Sequence, residues 1–155
     1  MTAKKAKRNT KKRCIAWHFV GETLRDGRPV PKDGEWLIHD GKCVMCESGL
    51  HASRDPFDAL KYAPGNTLCK VVCEDIADEQ DDKLVCHRRK IVKRINAGTL
   101  LRRFACDMAL SVAHLWDMPQ VVREYLETMD ETKCDAAWAA AWDAARAAAR
   151  AAAWA

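Results

Sequence analysis

Residues 43–63 read CVMCESGLHASRDPFDALKYA, and this stretch decides the fold. Gly49 can take a positive φ at no steric cost, so a turn is expected just before residues 50–53. In the short strand that follows, Leu50 and Ala52 share one face while His51 and Ser53 share the other. Asp55 then stands where a helix N-cap is wanted, with Pro56 at N1 and Asp58 at N3. Both carboxylates lie at the positive end of the helix dipole. Phe57, Leu60 and Ala63 fall on one helical stripe, and Pro64-Gly65 ends the helix after two turns. A helix this short needs a sheet to pack on. Residues 42–46, just ahead of the turn, read as a strand, so the whole segment is expected to run strand, turn, strand, capped helix.

Upstream, residues 14–20 (CIAWHFV) alternate as a strand, with Ile15, Trp17 and Phe19 on one face and His18 on the other. Residues 21–34 hold Pro29, Pro31 and three glycines and read as a loop or wide hairpin. Residues 35–39 form a short strand carrying Trp36 and Ile38, closed by an Asp40-Gly41 turn. Downstream, residues 67–74 are a strand whose Cys69, Val71 and Cys73 share a face. Residues 75–82 hold five acids and no base, which predicts a solvated turn. Residues 83–95 (KLVCHRRKIVKRI) are the longest strand, and their alternation slips near His87-Arg88-Arg89, which suggests a bulge there. The acidic run and the basic strand are expected to neutralise each other.

At residues 96–99 the pattern changes period. Leu101, Phe104, Ala105, Met108, Val112 and Leu115 keep helical spacing and predict an amphipathic helix over 99–116. Asp117 can cap a second helix, with Pro119 near N1 and Val122, Tyr125, Leu126 and Met129 as its apolar stripe. A third helix begins near Glu131, and its last twenty residues are mostly alanine. On it Trp138, Trp142, Ala145 and Ala149 share a face, with Asp143, Arg146 and Arg150 opposite. That apolar face is expected to pack on helix 99–116. The alternative is a contact with a macromolecular partner, or with a second copy of the chain, through Trp138, Trp142, Trp154, Arg146 and Arg150. Trp154 lies off the stripe and points to an external contact.

Lys4, Lys5, Lys7, Arg8, Lys11, Lys12 and Arg13 supply seven positive charges before any acid appears; the remainder carries 19 basic and 22 acidic residues. The chain therefore divides into a basic arm over 1–13, an α+β domain over 14–96 and a helical segment over 97–155. The arm is expected to be flexible in isolation and to offer weak phosphate attraction to nucleic acid, or else to act as a solubilising tail. There is no long apolar run and no apolar stretch near the start, so a cytoplasmic protein is expected, and its eight cysteines are expected as reduced thiols.

Three kinds of chemistry fit parts of the sequence. Cys43-x-x-Cys46 is a zinc half-site, with His51, Cys69, Cys73, Cys86 and His87 as completing ligands. Cys69 and Cys73 on one regular strand are too far apart to share an ion, and Cys86 and His87 point to opposite faces. The expectation is therefore no metal and buried thiols that behave as small hydrophobes. A thioredoxin-type thiol pair needs its first Cys at a helix N-terminus, and Cys43 lies in strand-like context. The third chemistry is nucleotide transfer. Gly49-Leu50-His51-Ala52-Ser53, Pro56 and Ala59-Leu60-x-Tyr62-Ala63 resemble the strand–helix segment of ADP-ribosyltransferase-like folds. The resemblance implies that His51 stands where an aromatic residue stacks on nicotinamide, with a ligand pocket formed by His18, His51, Ser53 and Arg54. The late-strand acid of that family is absent, since no Asp or Glu occurs between Lys83 and Leu101.

Residues 14–95 also resemble a small uncharacterised domain of bacteriophages and prophages. The resemblance rests on Trp17 and Phe19, Cys46-x-x-Gly49-Leu50-His51-Ala52, Pro56-x-Asp58-Ala59-Leu60 and Asp82-Lys83. Residues 101–155 are similar to an immunity-protein and phage-protein pattern through Phe104-Ala105-Cys106-Asp107-Met108-Ala109 and Ala136-Ala137-Trp138, departing from it at Met108-Ala109-Leu110. Together they imply a phage accessory protein acting in host cytoplasm. The expectation is an α+β chain: a mainly antiparallel sheet with one short helix, then three helices. Its expected role is non-catalytic contact with a host or defence protein, or a protein–nucleic-acid complex, without a cofactor.

Overall fold

The computed structural model describes residues 13–154. The expectations placed on Lys4, Lys5, Lys7, Arg8, Lys11 and Lys12 lie outside the described residues. Arg13 is the first residue of a strand, not the end of an arm. The backbone divides into two compact units, one ending at Ala97 and one starting at Gly98.

The first unit is a five-stranded antiparallel sheet, and the chain is α+β. Strands β1 (Arg13–Val20), β4 (Thr67–Glu79), β5 (Leu84–Asn96) and β2 (Trp36–Ile38) follow one another in the order β1-β4-β5-β2. Strand β3 (Leu50–Ala52) pairs with the beginning of β5. Just past β3, Ser53 and Trp17 exchange both backbone hydrogen bonds, at 2.7 and 2.9 Å. The ladders therefore close on themselves as β1-β4-β5-β3-β1. Ala16, Leu50, Ala52, Cys69, Val71, Cys73, Leu84 and Cys86 fill the interior. Burial of these small and branched side chains at about 25 cal/mol per Å² is the main stabilising term.

Helix α1 (Pro56–Leu60) starts as the sequence predicts: the Asp55 carboxylate accepts the Phe57 N–H at 2.7 Å, and Pro56 occupies the first turn. It differs in length and face. The helix has five residues and buries Ala59, while Phe57 is exposed.

The strand expected over 42–46 is a turn. Val44 and Ser48 form a single bridge, and Cys46 takes a φ of 66°. Left-handed backbone at Cys46 is incompatible with a continued strand. The acidic turn expected over 75–82 is also corrected, because β4 continues through Glu79. Asp75 sits at φ 55°, and the register shifts between Ile76 and Asp78, so a bulge carries the strand through the acidic residues. Their charges are absorbed by Arg88–Glu74 at 2.8 Å and Arg54–Glu79 at 2.6 Å. In β5 Arg88 and Arg89 pair with Glu74 and Cys73, and a residue is added further on, at Val92, opposite the Lys70–Val71 step. Residues 23–29 form a small hairpin whose Gly27 has a φ of 81°.

The second unit holds α2 (Gly98–Ser111), α3 (Gln120–Thr128) and α4 (Cys134–Ala153). Helix α3 is capped by Pro119 in place of the expected Asp117. Helix α4 packs on α3 and buries Ala137, so the expected packing of its Trp face on α2 does not occur. Alanines let two helices approach closely, whereas the indoles on the neighbouring stripe are too large for that seam. Trp138 stays 70% exposed and Trp142 51% exposed, stacked on each other at 6.0 Å. Met108, Val112 and Leu115 are also exposed, and Cys106 is the buried residue of α2.

Candidate functional site

The closed ring of strands leaves a cavity of about 1060 Å³ in the first unit. That volume suits a small-molecule ligand. His18 reaches it from β1, His51 from β3, Arg89 from the middle of β5 and Tyr62 from beyond α1. The hairpin over 23–28 and the turn over 46–49 form its rim, where Arg25 and Lys83 add positive charge.

Arg89 is the unusual member. On β5 it alternates with Val85 and Ile91, so it shares their apolar face, and it is only 6% exposed. The register sets it beside Cys73 on β4 and Leu37 on β2. One guanidinium N–H donates to the backbone carbonyl of His51. No carboxylate pairs with Arg89 among the described residues, and burial pulls its guanidinium down from the ordinary range. Its other nitrogens have no protein partner among the described residues, yet none is a sealed-off polar atom. They open onto the cavity that Arg89 lines. A buried guanidinium carries a desolvation cost of several kcal/mol unless something supplies a counter-charge.

The histidines fit this electrostatic picture. Burial, reinforced by Arg89 and His51, holds His18 well below the ordinary imidazole range. Burial and Arg89 also lower His51, whose Nε2 accepts the Cys46 N–H at 3.0 Å. Both rings are neutral at pH 7, and Arg89 is the fixed charge of the interior. At the rim, the Tyr62 hydroxyl donates to Asp82 at 2.6 Å, and the Lys83 ammonium lies 5.1 Å from the Tyr62 ring centroid. Gly49 closes the turn at φ 110°, where an added Cβ would lie 2.5 Å from Val85 and 2.9 Å from the Cys43 sulfur.

Of the four residues expected to form a ligand pocket, His18, His51 and Ser53 line this one cavity. Arg54 does not; its guanidinium is spent on Glu79 through two hydrogen bonds. The sequence reading missed Arg89, although its alternation with Val85 and Ile91 was a usable signal. Cys43 is half-buried and Cys46 exposed, and among the described residues no group of three or more His, Cys, Asp or Glu is placed to hold a metal ion. A hydrogen bond to Cys86, then burial, pushes the Cys73 thiol far up, so it stays protonated. Arg13, at the start of β1, faces Glu74 at 3.7 Å. Arg146 covers the Trp142 ring at 5.2 Å, so it stands beside that indole and not on the opposite face. Arg150 and Trp154 are exposed at the end of α4.

The fold and cavity define an α+β protein whose curled antiparallel sheet encloses a cationic pocket. The family model described as Domain of unknown function (DUF7666) matches residues 14–103, more than half of the chain, and the chain belongs to that family. No curated protein and no solved structure matches the chain. Among the described residues no helix is long and apolar enough to cross a membrane.

Proposed function

We propose that the first unit binds a nucleotide-class anion, with its phosphate on Arg89 and its ring on the Tyr62 side of the cavity. The single observation that carries this reading is the buried Arg89, free of any carboxylate partner among the described residues and open to the cavity. A phosphate would supply the missing counter-charge through charge-assisted hydrogen bonds. His18 and His51 stand beside it as neutral donors or acceptors, and Tyr62 offers an apolar face to a base. Strand β5 carries no Asp or Glu, so the reading is of binding and not of ribosyl transfer. The test is calorimetric titration of the full chain with ATP, ADP-ribose, NAD and inorganic pyrophosphate. Micromolar binding of one of them, lost in Arg89→Met, supports the reading. Absence of binding by all four at millimolar concentration overturns it.

A second reading is supported by the exposed, stacked Trp138 and Trp142. In it α4 contacts a macromolecular partner, and the phage or prophage setting and host cytoplasm implied by the Cys46-x-x-Gly49-Leu50-His51-Ala52 resemblance belong to this reading. Analytical ultracentrifugation and pull-down with the Trp138→Ala, Trp142→Ala double variant test it. Loss of a partner seen with the parent supports it, and identical capture by both overturns it.

A further inference from the structure

The register of the sheet places a second set of residues on the face away from Arg89. Paired residues of neighbouring strands lie side by side on one face. One row runs Arg13, Glu74, Arg88, Ile38, and the next runs Ile15, Val72, Lys90, Trp36. A further row brings Lys70 beside Lys93. The three rows hold five cations and one acid, and that acid, Glu74, is already bracketed by Arg13 at 3.7 Å and Arg88 at 2.8 Å. Ile15 and Ile38 are 48% and 49% exposed, Lys70 and Lys93 are exposed, Trp36, Arg88 and Lys90 are half-buried, and Val72 between them is buried, so the cations and the indole reach solvent around a buried valine. At its β2 edge the centroid of the Trp36 ring lies 4.5 Å from the Arg88 guanidinium and 4.8 Å from the Lys90 ammonium.

We infer that this sheet face is a docking surface for single-stranded nucleic acid. Charge complementarity decides the occupant. The face is strongly cationic, and the sequence leading into Arg13 carries Lys4, Lys5, Lys7, Arg8, Lys11 and Lys12 with no acid among them. A polyanion with regularly repeated charges meets such a face. The aromatic residue between cations narrows the class: an unpaired base can stack on Trp36 or on the Arg88 plane, whereas a duplex hides its base faces. Arg88 and Lys90 stand ~6.6 Å apart along β5, a spacing within reach of successive phosphates of an extended strand. Lys70 and Lys93 continue the cationic track across the sheet. The binding is electrostatic and sequence-tolerant, since the face offers backbone contacts and stacking and no side chain set for a base edge.

The test is fluorescence anisotropy with a labelled 12-mer of oligo(dT), with the same 12-mer annealed to its complement, and with vesicles of anionic phospholipid as a competitor, all on the full chain across a salt series. The expected result is salt-dependent binding of the single strand, at least ten-fold tighter than of the duplex and little affected by the vesicles. The Lys70→Gln, Lys93→Gln variant alters only exposed side chains and is expected to flatten the logarithmic salt slope by about 1.4, at ~0.7 for each phosphate no longer neutralised. Trp36→Leu is expected to weaken binding roughly ten-fold, and Arg89→Met to leave it unchanged, which separates this surface from the cavity. Equal affinity for single strand and duplex, full competition by vesicles, or unaltered binding by the double lysine variant would each overturn the inference.

Discussion

The imidazole of His51 accepts the backbone N–H of Cys46 at 3.0 Å through Nε2, across the turn that opens the cavity. The acceptor role leaves the ring proton on Nδ1 and agrees with a ring kept neutral by burial and by Arg89. Because Cys46 holds a φ of 66°, this bond stabilises a turn that its backbone alone disfavours. His51→Ala is expected to cost about 1 kcal/mol in urea denaturation, and His51→Gln, which restores an acceptor, to recover most of it.

His18 gives the fold a pH dependence whose sign can be worked out. Its folded pKa is depressed, chiefly by burial, while in the unfolded chain it titrates at about 6.5. As pH falls below that value the unfolded chain takes up a proton that the folded chain refuses, so stability is lost. The loss continues until the pH passes below the folded value. Melting temperature measured from pH 7.5 to 5 is expected to fall, and His18→Asn to flatten that fall.

Arg89→Met separates stability from binding. The change removes a guanidinium that is buried without a carboxylate partner among the described residues, and it also leaves the His51 carbonyl without its donor. The two effects oppose each other, so folding stability is expected to stay within about 1 kcal/mol of the parent. Anion binding in the cavity is expected to be lost. A large drop in stability would show instead that Arg89 is a structural residue.

Gly49→Ala tests the tightest point of the fold. Its Cβ would meet the Val85 methyl at 2.5 Å and the Cys43 sulfur at 2.9 Å, on a backbone at φ 110°. A loss of about 2–4 kcal/mol is expected in chemical denaturation.

On α4 the opposite outcome is expected. Trp138 is 70% exposed, so Trp138→Ala should shift stability by less than about 0.5 kcal/mol by the same measurement. A larger loss would mean that the stacked pair with Trp142 stabilises the helical unit itself.

Much of this architecture was legible because local signals and burial agree. Strand β1 was legible as a strand, although Ile15 is exposed and Ala16 buried, and Asp55-Pro56 marks a helix start as a side-chain acceptor followed by a residue without an N–H. Gly49 occupies a backbone region that a side chain would strain. The failures share one cause, which is long-range pairing overriding local composition. Five acids over 75–82 look solvated until Arg54 and Arg88, distant in sequence, are seen to pair with Glu79 and Glu74. The valine and methionine of residues 43–46 look extended until the His51 ring captures Cys46. Arg89 escaped notice because it sits in a basic run, Arg88-Arg89-Lys90, where composition outweighs its position between Val85 and Ile91. In the helical unit, periodicity located each stripe but not its neighbour, since spacing alone does not tell α4 to bury Ala137 and leave the indoles outside.

The order of pairing has a consequence for how the chain is made. Strand β1 has only the single Trp17–Ser53 bridge until β4 is available, and both β2 and β3 wait for β5. A ribosome emitting this chain therefore releases three strands before any ladder can zip, and the first ladder, β1 on β4, can form only once β4, which ends at Glu79, has cleared the exit tunnel. The hydrophobic β1 is then the segment most exposed to chaperone capture during synthesis.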